Sequence, residues 1–209
     1  MHEPACKNKM TVLGNKEDIQ SFMDWVSTSE SPISLEKAIP IPDEVKSLDP
    51  NLITPSMLEK YGAIDPMTWK DENWGVFKDF MEVKLTADVE LDDEETEMLT
   101  ANLNTGMVAN RIVAYSYVTQ CIPPLHAYRR FSEEHPNLMF HMSFDVDTTD
   151  KHNTCGFLLV KAGKMLKRWF NPMSYRSFQA QMDGEGGFSS LLALAALKDE
   201  KLQVEGEDE

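Results

Sequence analysis

Between residues 81 and 90 apolar and polar side chains alternate without a break. Met81, Val83, Leu85, Ala87 and Val89 fall on one side, and Glu82, Lys84, Thr86, Asp88 and Glu90 on the other. Period two is the mark of a half-buried strand, and a strand is predicted over 79–91. LMFHMSFDVD alternates as cleanly, with Phe140, Met142, Phe144 and Val146 opposite His141, Ser143, Asp145 and Asp147. KNKMTVLG reads as a first strand closed by a glycine turn at Gly14. NRIVAYSYVTQ is rich in β-branched and aromatic residues, which fit a pleated surface. TCGFLLVKAG and KMLKRWF are predicted to pair as a hairpin about Ala162-Gly163.

Helical spacing separates these strands. In NKEDIQSFMDWVST, Ile19, Phe22, Met23 and Val26 recur at intervals of three and four. Asn15 is the expected cap, and Glu17 and Asp18 place negative charge in the first turn, where the helix dipole favours it. PPLHAYRRFSEEHP carries an apolar stripe of Leu125, Tyr128 and Phe131 and is closed by Pro136. Residues 30–75 hold prolines at 32, 40, 42, 50, 55 and 66, which implies turns and short helices. Thr54-Pro55 and Asp65-Pro66 are two helix starts, each a cap followed by proline at the first helical position. DDEETEMLTANLNTG reads as an acidic bridge with one or two helical turns. A Gly-rich joint, an apolar helix over 188–203 and an acidic tail over 204–209 end the chain.

The order is β-α-β-β-α-β with additions, that of a ferredoxin-like fold. The expected class is α+β in a single domain over 1–209. Its core spans 5–28 and 76–171, with a helical insertion over 30–75, an extra hairpin and a C-terminal helix. The strand CKNKMTVLG, Tyr61-Gly62, Trp69, the corner Glu72-Asn73-Trp74-Gly75, Ile122-Pro123-Pro124 and LMFHMSFDV together resemble the YubB-type ferredoxin-like domain family. That family is carried by phages and plasmids. Its members usually carry Lys-Trp shortly after the glycine and Trp-Ser before Pro-Pro; here Val76-Phe77-Lys78 and Cys121-Ile122 stand there, which makes the chain an outlying member. The resemblance implies fold and mobile-element origin, with no settled biochemical activity. Trp74 is expected to anchor the insertion to the sheet, and Gly75 to take a backbone angle that other residues resist.

Charge changes the picture of partners. The 35 Asp and Glu outnumber the 20 Lys and Arg, for a net charge of -15. Such a surface repels phosphate backbones and favours basic proteins, so direct nucleic-acid binding is disfavoured. MHEPACKNKM has no apolar run of leader length, and LLALAALK is far too short to span a bilayer. Cys6, Cys121 and Cys155 are scattered and odd in number, which suggests reduced thiols in a cytoplasm; the resemblance to a phage and plasmid family implies that this is a bacterial host's cytoplasm.

The chain lacks a Walker loop, a GxGxxG and a Gly-x-Ser-x-Gly elbow. No cofactor and no catalytic residue are assigned. Three readings follow. The first is an acidic accessory protein that binds a host or element-encoded protein, modulating or inhibiting it. Its docking candidates are Asp88, Glu90, Asp92, Asp93, Glu94 and Glu95, with Tyr115 and Tyr117. The second is a metal-dependent enzyme on the open sheet face around His141 and Asp145, with Asp147, His152 and Cys155 nearby. The third is nucleic-acid binding by stacking on Tyr115 and Tyr117.

Overall fold

The computed structural model describes residues 5–47, 54–103, 107–147 and 154–171. In chain order the elements are β1 (Ala5–Gly14), α1 (Lys16–Val26), α2 (Leu35–Ala38), α3 (Asp43–Lys46), α4 (Pro55–Tyr61), α5 (Pro66–Trp74) and β2 (Met81–Glu90), followed by α6 (Asp93–Leu103), β3 (Arg111–Gln120), α7 (Leu125–Glu134), β4 (Met139–Asp147), β5 (Thr154–Lys161) and β6 (Lys164–Asn171). The fold is α+β. Its six strands form one sheet in the order β2-β3-β1-β4-β5-β6, and every neighbouring pair is antiparallel. The expected helix over 188–203 and the tail over 204–209 lie outside the described residues.

The local signals read from the sequence act as caps. Asn15 accepts from the Asp18 N–H, Thr54 from the Met57 N–H and Asp65 from the Thr68 N–H. Each satisfies one of the donors that a helix start leaves orphaned. The β5–β6 hairpin turns on Ala162 and Gly163, both at positive φ.

The two faces of the sheet are covered differently. On one, Met10, Val12, Val113, Tyr115, Phe140 and Met142 pack against Ile19, Phe22 and Val26 of α1 and Tyr128 and Phe131 of α7. Residues 33–45, Trp69 and Trp74 extend the same core. On the other face, Leu99 of α6 joins Leu13, Ile112 and Met139. α6 therefore lies across the sheet from α1 and α7 and covers the end where β1 finishes.

The Trp-Gly corner ends α5. Trp74 is 0% exposed, and its indole N–H donates to the Ile39 carbonyl at 2.9 Å. Gly75 caps the helix in the left-handed region at φ 75°. A Cβ there would also stand 3.3 Å from the backbone nitrogens of Leu125 and His126, so the corner is pressed against the start of α7. Downstream, Asp79 accepts from the Ser34 hydroxyl and from the Leu35 and Glu36 N–H groups. Two contacts thus tie residues 33–39 to the segment that leads into β2.

Two expectations need correction. The alternation in β2 does not map onto two faces. Its pairing with β3 shifts between Met81 and Lys84 and again between Leu85 and Ala87, and Glu82 has φ 52°. Each irregularity reverses the side a residue faces. Lys84 stands opposite Ser116 and Asp88 opposite Val113, so they point to opposite faces rather than sharing one. The acidic bridge holds a longer helix than the one or two turns expected, 11 residues over Asp93–Leu103: the Asp92 carboxylate accepts from the Glu95 N–H, and the Glu95 carboxylate accepts from the Asp92 N–H. This reciprocal capping box starts α6.

Candidate functional site

The acidic candidates divide into structural and unpaired groups. The Arg111 guanidinium grips Asp88 through two contacts of 2.8 Å and also donates to Gln20 of α1. Arg111 is itself buried, so Asp88 serves as its counter-ion. Glu90 pairs with Lys16 at 2.6 Å. Asp92 and Glu95 form the capping box. Asp93, Glu94 and Glu97 are exposed on the outer side of α6, and among the described residues no ion pair holds them. Glu94 and Met98 are four residues apart, as are Asp93 and Glu97, so each pair shares a side of the helix. Met98 is 53% exposed. The result is an acidic ridge with one apolar contact point.

Tyr115 and Tyr117 do not line an open face. They are 1% and 2% exposed. Tyr115 meets Phe22 edge-on, and Tyr117 stacks on Phe80 at 4.1 Å between ring centroids. The Tyr117 hydroxyl donates to that of Tyr128, which donates on to Asn8 at 3.3 Å. Asn8 in turn donates to Thr119. Burial holds all three phenol pKa values above the usual range. These tyrosines belong to the core under α1 and α7, so neither stacking on a base nor direct partner contact is open to them.

His141 and Asp145 occupy the other face, apart from each other. Thr11 stands beside His141 and Lys7 beside Asp145. Four residues along one strand span roughly 13 Å, too far for two side chains to ligate one ion directly. His141 is 2% exposed, and burial pushes its imidazole down to about 4, so it is neutral near pH 7. Among the described residues no group of three His, Cys, Asp or Glu side chains is placed to hold a metal; His152 lies outside them. Burial pushes the Cys6 thiol up to about 12, and Cys155 is buried as well.

The fold also assembles something the linear reading missed. Lys84, Ser116, Lys9 and Ser143 stand side by side across β2, β3, β1 and β4. Lys7 lies two residues from Lys9 on the same side of β1. These side chains, with Val118, Glu82 and Asp145, border a cavity of about 390 Å³ on the face opposite α1 and α7. Lys7, Lys9 and Lys84 are exposed, and among the described residues none has a carboxylate within ion-pair distance. The period-two lysines Lys7 and Lys9 in KNKMT were a sequence signal for part of it; that Lys84 joins them depends on the irregularity between Met81 and Lys84.

No helix among the described residues is long and apolar enough to cross a membrane. Comparison with protein-family models, with curated proteins and with solved structures finds no match to this chain.

Proposed function

We propose that the chain is a phage- or plasmid-encoded accessory protein that binds another protein, from the host or the element, in the bacterial cytoplasm, and modulates or inhibits it. Its core is proposed to be ferredoxin-like and of the YubB type. The antiparallel order β2-β3-β1-β4 supports that arrangement, as does the succession of strands with α1 and α7 between them. The observation that carries the functional reading is the outer side of α6. Asp93, Glu94 and Glu97 present three carboxylates held by no ion pair among the described residues, next to exposed Met98. Unpaired like charges on a rigid helix steer a basic surface to one place, and a methionine adds adaptable apolar contact.

The test compares wild type with Asp93→Asn/Glu94→Gln/Glu97→Gln, which leaves the capping box intact. Both are immobilised and exposed to bacterial lysate. The expected result is a basic protein retained by wild type, released by salt and lost on the variant. Equal retention by both would remove α6 as the docking surface.

A further inference from the structure

The trough on the sheet face poses a separate question. A chain with net charge -15 collects three ammonium groups there against two carboxylates, Glu82 and Asp145, and among the described residues no ion pair holds the lysines. Lys9 and Lys84 flank Ser116 on neighbouring strands. Strands lie about 4.8 Å apart, so the two lysine backbones are separated by about 10 Å. Lysine stems are long enough to close that gap around one anion, and Lys7 stands about 7 Å along β1 from Lys9. Ser116 places a hydroxyl donor on the floor between Lys84 and Lys9, and Ser143 places another on the far side of Lys9. The volume of about 390 Å³ lies in the range of small-molecule sites.

We infer that the trough bordered by Lys7, Lys9 and Lys84 and floored by Ser116 and Ser143 binds a compact, phosphate-bearing small molecule. Size follows from charge. α6 lies on the same face, beyond Leu13 and Ile112, with Asp93, Glu94 and Glu97 exposed. A long nucleic-acid strand following β1 would run from the lysines into those carboxylates. A compact anion meets the three lysines, and Glu82 and Asp145, which line the same cavity, set an upper limit on how much negative charge fits. The site shares no residue with the α6 ridge, so either can fail without the other.

The test is calorimetric titration of the full chain with pyrophosphate, then with a short oligothymidylate. Variants are Lys9→Gln, Lys84→Gln and, as a control on α2, Lys37→Gln, each checked for unchanged melting. The expected result is saturable pyrophosphate binding that weakens with salt and falls about tenfold or more in Lys9→Gln and Lys84→Gln, as charge-assisted contacts require. Lys37→Gln should bind like wild type. The inference is overturned by no saturable binding at millimolar pyrophosphate, or by equal binding in all variants. Oligothymidylate binding more tightly than pyrophosphate, with loss in the same variants, would also overturn it and make the face a nucleic-acid surface.

Discussion

Trp74 shows how far a single residue can be read from sequence. Its type and its place before a glycine pointed to an anchor, and it is fully buried with its N–H paired to Ile39. Trp74→Ala removes a core aromatic and leaves that carbonyl unpaired, so a loss of about 3–5 kcal/mol is expected by chemical denaturation. A wild-type unfolding midpoint would remove the anchor role. His141 was legible only as one polar position in an alternation; alternation names a face but not what covers it. Its burial carries a pH signature. The folded imidazole takes its proton near pH 4 rather than at the ordinary 6.5, so the unfolded chain binds protons more readily between those values. Stability is therefore held above about pH 6.5 and declines as pH falls toward 4, by about 2 kcal/mol at pH 5 from this group alone. Denaturation of wild type and His141→Gln at pH 7 and pH 5 should show wild type losing more by about that amount. Equal losses would mean that the imidazole is hydrated in the folded chain.

At the scale of elements, what the sequence revealed depended on whether the signal is local. The caps Asn15, Thr54 and Asp65 are local chemistry, and each caps the helix expected of it. The strands were equally legible, β2 and β4 from their period and the others from composition and turn residues. The bulges of β2 were not, because their cause lies in pairing with β3 while the residues keep a faultless alternation. α6 was under-read for another reason. Its Asp92-x-x-Glu95 box sits inside a run of acids, where a cap looks like any other carboxylate. The box yields a contrast. Asp92→Ala should cost about 1 kcal/mol through loss of the cap, whereas neutralising exposed Glu94 should change stability by less than about 0.5 kcal/mol. Thermal melts of the two variants check this; equal shifts would mean that the acids of α6 act only through charge.

For the whole molecule, net charge predicted a basic partner, but topology decides where charge is available. Asp88 and Glu90 are committed to Arg111 and Lys16, and Tyr115 and Tyr117 are core residues. Of the docking candidates read from the sequence, Asp93 and Glu94 are exposed without an ion pair among the described residues, and Glu97 joins them one turn on. Lys7, Lys9 and Lys84 come together across two strands far apart in sequence, which no linear pattern records. The most direct measurement of the central claim is the association rate of a purified basic partner with wild type and with Asp93→Asn/Glu94→Gln/Glu97→Gln, at low and at high salt. Attraction between exposed charges acts over about 8 Å at physiological ionic strength and shortens as salt rises. The account predicts that wild type associates several-fold faster than the variant at low salt, and that the difference closes at high salt. Equal rates at low salt would contradict it and leave α6 as a solvated helix.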